Sequence, residues 1–591
     1  MADDASTPSV TALLGRLLPY MRYDAPMYLV AILAAPVSTV LVVVQPWLLK
    51  RAIDQHILKD DVPGLLWLAW MYLLAVLFGF LAEAVYNLAL SYGAMRTISR
   101  LRKAVYAHTL SLARSYFDRV PTGRLLTRVT SDIEALGETL SAGAITIVLD
   151  VLLVIGILGA MLWLDAWLTA LMLVLSPVLA LIVDGIRRVL RRLYQEVRTS
   201  LSTLNAYLAE RITGLTVVQL YRDEKRTMTE FDARLAVFRD ATIKTNFWDA
   251  LLFAIVDGLS SICMALMLWY GAGGLFGDAI TAGLLAAFIE YIGRLFQPIK
   301  EFSQKLAVIQ RAAAALEKIF GLLDEREQVA FGSTSLTGEV ESLELDGVHF
   351  AYGDGPDVLK GVSLAIRPGQ VVALVGRTGS GKSTVGKLLQ RSYQGHRGHI
   401  RLNGHEITEL DSDTLHRFIG VVQQDVQLFP GTVRFNLTLG ADIPDAALEE
   451  ALALCHAEET VAKLGGLDGR IRHEGANVSV GEGQLLSFAR TLAANTPIVV
   501  LDEATASVDS LTEARIQSAT DAILERRTVL VIAHRLSTIM DADEILVMDA
   551  GRVIERGTHA QLMQAGGAYA DLFEKQFSGT GPDEASAEAR E

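Results

Sequence analysis

The chain has 591 residues, of which 51% are hydrophobic, and a formal net charge of −14 at pH 7. This acidic balance argues against broad nucleic-acid binding, which depends on clustered Lys and Arg. The length predicts two large units, and long uncharged runs before about residue 305 indicate that the first lies in lipid. The cysteines, Cys263 and Cys455, form neither a metal-binding spacing nor a disulfide framework, and both are interpreted as structural.

The N-terminal segment, residues 1–26, has neither the basic flank of a secretory signal nor the Arg-rich composition of a transit peptide. The first transmembrane helix is therefore expected to act as its own insertion signal. Within the segment, residues 8–24 place leucines among Arg16 and Arg22, which is typical of a short amphipathic helix on the membrane surface.

Six apolar stretches are each long enough to cross a hydrocarbon core of about 30 Å. They lie at residues 27–49, 66–91, 142–164, 166–186, 247–271 and 279–300. These stretches predict an all-α transmembrane domain over residues 27–321. The connections after the second and fourth stretches are long and rich in Arg and Lys, so the positive-inside rule places them, and both termini, in the cytoplasm.

The two long connections, residues 92–141 and 187–246, keep a helical pattern that is interrupted mainly near Pro121 and Gly214. Helices of this length would extend well beyond the bilayer, because each residue adds about 1.5 Å. We therefore expect them to transmit motion between the membrane domain and a soluble motor.

Four acidic residues fall inside the predicted spans: Glu83, Asp150, Asp257 and Glu290. A charge at the bilayer centre costs about 2.5 to 3.5 kcal/mol on insertion scales, so these acids are expected to face a cavity or a partner. One interpretation is a substrate cavity that favours cationic amphiphiles. The other is that Glu290 pairs with Arg294, one turn away, while the remaining acids are bonded between helices.

The second half of the chain has a different pattern. Residues 322–339 are polar and predict a linker, and residues 340–577 alternate between strand and helix patterns, as expected of an α/β domain. Residues 578–591, rich in Gly, Ala and Glu, predict a disordered tail.

A phosphate-loop motif, G-x-x-x-x-G-K-[ST], is matched at every fixed position. It follows the apolar run 371–375 and opens a predicted helix, which is the context that such a loop requires. The residues predicted to bind ATP here are Gly376, Arg377, Thr378, Gly379, Ser380, Gly381, Lys382, Ser383 and Thr384. Lys382 is expected to neutralise the β and γ oxygens, and Ser383 is expected to bind Mg²⁺.

A second element is the apolar run 498–501, which ends in Asp502 and Glu503. Asp502 is predicted to hold the Mg²⁺ shell, and Glu503 to accept a proton from the attacking water as general base. Such a run is weak evidence alone, but downstream of a phosphate loop it is strong.

Several further motifs resemble those of the ABC transporter superfamily, over essentially the whole chain. Residues 478–482, Val-Ser-Val-Gly-Glu, look like a variant of the LSGGQ signature of these ATPases. The resemblance places Gln424 in the Q-loop, as a catalytic and Mg²⁺-binding residue, Asp509 in the D-loop, and His534 as the switch histidine. It also places Tyr352 where the family stacks an aromatic ring on adenine.

In the family, two ATPase domains face each other head to tail, so Ser479 and Gly481 of one chain are expected to contact the ATP held by the other. The resemblance to type IV exporters implies a half-transporter that works as a dimer and exports or flips drugs, lipids or similar molecules across the plasma membrane. Asp118, in Tyr-Phe-Asp, resembles part of the first cytoplasmic loop, and coupling helices are expected near residues 130–140 and 210–222. An ATP-gated or regulatory ATPase could share these motifs, but intact Glu503 and His534 favour a pump.

The signature departs from the family pattern at three positions, where Val478, Val480 and Glu482 stand for Leu, Gly and Gln. A carboxylate near a triphosphate should disfavour nucleotide closure unless Glu482 points away. One ATP site is therefore expected to be weakened, which slightly favours a heterodimer over a homodimer.

Overall fold

The computed structural model describes residues 10–142, 144–272, 280–502, 510–532 and 536–577. Within them the chain divides into two compact units. The first lies in Met1–Leu110 and Thr122–Glu325, and the second in Ser111–Pro121 and Arg326–Glu591. The described part of the first unit is helical, and the second unit is α/β. This division confirms the predicted fold class.

Long helices form the first unit. They are α2 (Ala25–Arg51), α3 (Val62–Ser111), α7 (Ala144–Leu164), α8 (Ala166–Thr213), α10 (Glu224–Ala272) and α11 (Ala282–Leu323). Shorter helices are α1 (Val10–Met21), α5 (Thr122–Val129), α6 (Ser131–Ala142) and α9 (Leu215–Leu220), with short 3-10 or π turns at Arg22–Asp24, Ala52–His56 and Ile57–Lys59. Each of the six predicted apolar stretches lies within one long helix, to within three residues. By length and hydropathy alone, four helical stretches of the described residues could cross a membrane.

The expected helical extensions are present. Helix α8 continues through its basic segment to Thr213, and Gly214 separates it from α9. Helix α10 begins at Glu224, far ahead of the apolar stretch that it carries. The two long helices pack against each other along this length.

Helix α1 packs on α11 through one apolar face. Leu13 and Leu17 are buried, whereas Leu18 on another face is exposed. The Arg16 guanidinium donates to both carboxylate oxygens of Asp324, at 2.6 and 2.7 Å, and lies over the Phe320 ring. The apolar stripe and this bidentate ion pair fix the N-terminal helix to the end of α11.

Two main sheets organise the second unit. A six-stranded sheet has the order β12-β11-β3-β10-β9-β6, all parallel except β12, and an antiparallel sheet has the order β2-β1-β4-β5. The strands are β1 (Leu343–Ala351), β2 (Asp357–Ile366), β3 (Val371–Val375), β4 (Arg397–Leu402), β5 (His405–Glu406), β6 (Ile419–Val422), β7 (Gly431–Thr432), β8 (Arg470–Ile471), β9 (Ile498–Asp502), β10 (Thr528–Ile532), β11 (Glu544–Asp549) and β12 (Arg552–Gly557). Strands β7 and β8 pair separately.

Helices surround these sheets. They are α4 (Arg114–Arg119), α12 (Lys382–Leu389), α13 (Ser412–Phe418), α14 (Val433–Thr438), α15 (Asp445–Leu454), α16 (Glu458–Leu464), α17 (Val480–Ala493), α18 (Ser510–Arg526), α19 (Leu536–Met540), α20 (His559–Ala565) and α21 (Ala568–Phe577), with a 3-10 turn at His473–Gly475.

The parallel sheet is buried on both faces, as a continuous apolar run predicts. Alternate residues of β3 enter different cores: Ala373 packs with residues of α15, α17 and α18, whereas Leu374 packs with β1, β2 and α12. Cys455 is fully buried in the first of these cores, and burial raises the pKa of its thiol to about 12. The side chain of Cys263 lies outside the described part.

The boundary between the units differs from the predicted one. Ser111–Pro121 belongs to the second unit, because Ala113 N donates to Glu327 O at 2.8 Å and Arg119 pairs with the Glu327 carboxylate. Residues 130–140, where the sequence placed a coupling helix, belong to the first unit, in which α6 packs against α11. The predicted linker 322–339 is also structured in part, since α11 continues to Leu323 and Gly332 N donates to Leu410 O at 2.9 Å.

Candidate nucleotide-binding site

The predicted phosphate-binding and metal-binding residues meet at one edge of the parallel sheet. Ile532 of β10 lies level with Leu374 of β3 on one side and with Asp502 of β9 on the other. The phosphate loop follows β3, and Gln424 lies exposed two residues beyond the end of β6. Because the carboxyl ends of parallel strands share one edge, the fold brings together residues that lie far apart in the sequence.

Glycines let the phosphate loop adopt backbone conformations in which other residues would be strained. Gly376, Gly379 and Gly381 have φ of 149°, 84° and 104°. A Cβ at Gly376 would lie 2.1 Å from Met548 O, and one at Gly381 would lie 2.8 Å from Leu359 Cδ2. The loop therefore needs glycine at these two positions for its close packing as well as for its turns.

Lys382 lies at the centre of this loop. It begins α12 and is 6% exposed, and its Nζ donates to Gly376 O at 2.7 Å and to Arg377 O at 3.1 Å. Burial lowers the pKa of Lys382, and the nearby Asp502 carboxylate opposes this shift. The loop thus holds the ammonium group against two backbone carbonyls, which a phosphate would replace as a stronger partner.

Ser380 and Gly381 leave the start of α12 without a side-chain cap. The Ser380 side chain is 3% exposed, and its Oγ makes no hydrogen bond among the described residues. Gly381, the N-cap of α12, supplies no side-chain cap. Unpaired donors at a helix N-terminus favour an anion, so these residues fit the phosphates of ATP.

The predicted Mg²⁺ ligands also suit that ion chemically. Ser383, Gln424 and Asp502 offer hydroxyl, amide and carboxylate oxygens, and Mg²⁺ prefers oxygen donors while keeping several waters. In the described part of the chain, no group of three or more His, Cys, Asp or Glu could hold a metal. A few protein oxygens beside a phosphate loop are suitable ligands for an Mg²⁺ ion whose other ligands are nucleotide phosphates and waters.

Tyr352, the predicted adenine-stacking residue, belongs to an aromatic cluster beside α12. Its hydroxyl lies 3.0 Å from Thr384 Oγ1, and its ring meets those of Phe350 and Tyr393 edge to face, at 4.9 Å in each case. Lys387 Nζ lies 5.7 Å from the Tyr352 ring. Tyr393 and Lys387 were not predicted, because neither belongs to a motif.

The same cluster contacts the loop at Ser111–Pro121. The Tyr393 hydroxyl donates to the Asp118 carboxylate. Burial and this carboxylate both raise the pKa of Tyr393. Asp118, which the sequence shows only as part of a loop motif, therefore contacts Tyr393, and Tyr393 contacts the ring of Tyr352 that is predicted to stack on adenine.

The signature residues form the start of α17. Ser479 is the N-cap, and its Oγ accepts from Glu482 N at 3.2 Å, while the Glu482 carboxylate accepts from Ser479 N at 2.8 Å. Gly481 is buried in the first turn, and Val480 is exposed. Glu482 thus folds back onto its own helix in a capping box.

Lys463 also contacts this carboxylate, with its Nζ 3.0 Å from Glu482 Oε1. Burial alone would raise the pKa of Glu482, but the hydrogen bonds from Ser479 N and from Lys463 lower it. The carboxylate that the sequence suggested as a repulsive group is therefore hydrogen-bonded and paired with a cation. The remaining predicted site residues, Glu503, Asp509 and His534, lie outside the described residues.

Glu290 is paired within the membrane unit. Its Oε1 lies 2.5 Å from Arg294, which also donates to Gln45 at 2.7 Å and to Val42 O at 2.6 Å. The Val42 carbonyl needs another donor, because Pro46 has no N–H to give to the residue four positions earlier. Arg294 thus neutralises Glu290 and satisfies a backbone group that the proline leaves unpaired.

Asp150 is paired as well, at 2.5 Å from Lys305 Nζ, and Glu301 lies 3.1 Å from the same amine. Glu83 is exposed. Asp257 lies on the surface of the described helices. The structure therefore pairs two of the four predicted substrate acids, Glu290 and Asp150, with cations.

Comparison with known proteins gives the same division of the chain. The family model described as "ABC transporter transmembrane region" matches residues 28–299, and that described as "ABC transporter" matches residues 359–506. The "probable multidrug resistance ABC transporter ATP-binding/permease protein YheH" of Bacillus subtilis is 34% identical over 88% of this chain and 78% of its own length. The "ATP-dependent lipid A-core flippase" of Aliivibrio fischeri is 32% identical over 96% of this chain and 98% of its own.

A solved structure agrees with these relatives. The structure of a bacterial Atm1-family ABC exporter with ATP bound is 26% identical, covers 94% of this chain and 99% of its own, and gives a TM-score of 0.74. The phosphate loop lies in the part that matches the ATPase family model, and the long helices lie in the part that matches the transmembrane model. The chain belongs to the ABC transporters, as an integral membrane exporter that carries its transmembrane region and its ATPase domain on one polypeptide.

Proposed function

We propose that this exporter couples the hydrolysis of Mg²⁺-ATP to the export or flipping of hydrophobic or amphiphilic molecules across the plasma membrane, with both termini in the cytoplasm. The observation that carries the proposal is the buried Lys382 in an uncapped phosphate loop, on the same chain as helices long and apolar enough to cross a membrane. ATP binding in that loop would supply the energy that moves such a molecule.

Different residues of the chain have different proposed roles in ATP binding and hydrolysis. Lys382 and the loop backbone hold the phosphates, and Tyr352 holds the adenine ring. Ser383, Gln424 and Asp502 supply oxygens for Mg²⁺, which when bound offsets charge on the β- and γ-phosphates. In our proposal Glu503 accepts the proton of the attacking water, and Gln424 and His534 help to position that water and the γ-phosphate.

Two copies of this chain would form the working unit. The sequence slightly favoured a heterodimer because Glu482 added a negative charge to the signature. Since Glu482 is engaged by Ser479 N and Lys463, this electrostatic reason for a weakened site is reduced. We therefore propose a homodimer in which Ser479 and Gly481 of each copy contact the ATP held by the other.

The substrate we propose is an amphiphile with a cationic group. Two carboxylates, those of Asp150 and Glu301, lie on the single ammonium of Lys305 and leave a net negative charge there. Glu290 adds no net charge, because Arg294 pairs with it. The names of the relatives, a multidrug transporter and a lipid A-core flippase, support an amphiphile without specifying its charge.

The first experiment is the Mg²⁺-dependent ATPase activity of this chain purified alone in lipid nanodiscs, beside Glu503→Gln. Turnover that the variant abolishes supports a competent homodimer with Glu503 as base. Nucleotide binding with negligible turnover of the wild type would contradict the homodimer and direct the search to a second subunit. In inverted vesicles, ATP-dependent accumulation of an amphiphilic dye supports a pump, and leak without accumulation supports the gated alternative.

Stimulation of the ATPase tests the substrate class. A lipophilic quaternary ammonium compound should stimulate turnover more than an anionic detergent of equal chain length. The double variant Glu83→Gln, Asp150→Asn should reduce this preference, whereas Glu196→Gln, at an exposed acid on α8, should not. If the quaternary ammonium compound stimulated the double variant as strongly as the wild type, that result would contradict the proposed cationic preference.

A further inference from the structure

Each oxygen of the Glu482 carboxylate has its own partner: one is a backbone N–H and the other is a lysine ammonium. Oε2 accepts from Ser479 N at 2.8 Å, which completes the capping box, and Oε1 lies 3.0 Å from Lys463 Nζ. The Glu482 side chain is 20% exposed and that of Lys463 is 65% exposed. Lys463 thus reaches from solvent to a carboxylate that the helix holds in place.

Lys463 is well placed for this contact. It lies in the last turn of α16, where the helix dipole favours a cation. Thr460 and Val461 of the same helix are buried, and Gly465 in the left-handed conformation ends the helix directly after Leu464. The backbone that carries the lysine is therefore fixed, although its amine is accessible to water.

The capping role of Glu482 does not require its charge. A capping box accepts Glu or Gln at its third position, since either side chain can accept from the N-cap N–H. A carboxylate adds one negative charge to a helix N-terminus that is otherwise favourable to anions. In this chain the charge at that end of α17 therefore depends on Lys463.

We propose that Lys463 is a positioning residue for ATP hydrolysis, which neutralises Glu482 so that the signature end of α17 can contact the γ-phosphate of ATP held by a second copy. The inference rests on the proposed homodimer with composite ATP sites. Lys463 acts through Glu482 and does not itself form or break bonds. Its contribution should disappear when residue 482 carries no charge.

Four full-length proteins in nanodiscs test this dependence: wild type, Lys463→Ala, Glu482→Gln, and the double variant. Lys463→Ala should raise the half-saturating ATP concentration by about fivefold, the upper end for an ion pair that water reaches. Glu482→Gln should equal or improve on the wild type, and the double variant should match Glu482→Gln. Lys463→Arg keeps the charge and should behave as the wild type.

A purely structural role for Lys463 predicts a different result. It would lower the melting temperature of Lys463→Ala and impair turnover equally whether residue 482 is the native glutamate or is replaced by glutamine. That result, or a Lys463→Ala protein indistinguishable from wild type, overturns the inference while leaving the proposed function intact. A wild type that lacks turnover contradicts the proposed function, and the inference falls with it.

Discussion

Helices α12 and α17 begin in contrasting ways, although both are expected to meet the phosphates of ATP. The N-cap of α12 is Gly381, which offers no side chain, and the adjacent Ser380 Oγ has no hydrogen-bond partner among the described residues. The N-cap of α17 is Ser479, which is bonded reciprocally to Glu482. One helix end is complete only with an anion, and the other is already capped by its own side chains.

This difference separates two tasks. A loop that must bind ATP in every cycle gains from unpaired donors, because the ligand supplies the missing partners. In the proposed dimer, the signature meets ATP only when two ATPase domains close. Its helix end must therefore be stable while it is exposed. The reciprocal cap gives α17 that stability, and Lys463 offsets the charge that the cap introduces.

The largest effect is expected at the open helix. Lys382→Ala removes the ammonium that the loop encloses, and turnover should fall by at least about 100-fold, as for other preorganised charges that act on a developing charge. Lys360→Ala is the control, since the amine of this half-buried lysine donates to Ala550 O and to no predicted site residue among those the structure describes. Steady-state ATPase rates measure both. Comparable rates for Lys382→Ala and wild type would contradict the proposed role of the loop.

Replacing each of two glycines in the same loop distinguishes the effect of backbone strain from the effect of close packing. Gly376→Ala would place a Cβ 2.1 Å from Met548 O, whereas Gly379→Ala meets nothing within 4 Å. Both replacements strain a positive φ, at about 1 to 3 kcal/mol, but only the first also displaces backbone. ATP affinity, measured by isothermal titration of the full chain, should fall much further for Gly376→Ala. Equal losses would show that packing against Met548 is unimportant.

The adenine end of the open helix should show an intermediate effect. Tyr352→Ala removes the ring expected to stack on the base and should raise the half-saturating ATP concentration by roughly tenfold, since stacking is worth about 1 to 3 kcal/mol per base. Tyr352→Phe keeps the ring and loses only the hydroxyl contact with Thr384, so it should change that concentration little. ATPase titrations compare the two, and a large effect of Tyr352→Phe would assign the role to the hydroxyl.

At the capped helix the expected effects concern stability. Ser479→Ala removes the N-cap hydroxyl, which is worth about 1 kcal/mol, and should lower the melting temperature of the ATPase unit by about 2 to 4 °C. Glu482→Gln keeps the reciprocal cap and loses only the charge, so it should lower the melting temperature at neutral pH by less than Ser479→Ala does. Calorimetry of both variants checks this ranking, and a larger loss for Glu482→Gln would contradict it.

The smallest expected effect is the pH dependence of that cap. Because the folded-state pKa of Glu482 is lowered, its ionised form stabilises the fold. This contribution is complete above the ordinary glutamate pKa of about 4.3 and is lost as the pH falls through the lowered value. The wild type should therefore melt slightly above Glu482→Gln at neutral pH, and this difference should shrink as the pH falls through the lowered pKa of Glu482. Parallel melts at every pH would show that the charge contributes nothing.

Much of the fold was predictable because its signals are local. Apolar stretches of sufficient length marked the long helices, and the phosphate loop was legible since its glycines, lysine and serine are contiguous. The position of Asp118 was not predictable, because its partner Tyr393 lies on another part of the chain and belongs to no motif. The assignment of residues 111–121 was not predictable for the same reason: contacts of Ala113 and Arg119 with Glu327, rather than any local pattern, place them in the ATPase unit.

A lipid-facing helical half and an ATP-binding half could be recognised before folding was considered, because hydrophobic length and a contiguous phosphate motif need no tertiary information. The balance of charges depends on the fold. Glu482 and Lys463 lie in separate helices, as do Asp150 and Lys305, and a sequence does not show which distant side chains come within about 3 Å of each other. Electrostatic energy depends on that distance, so a carboxylate that suggested repulsion in the sequence became half of an ion pair in the fold.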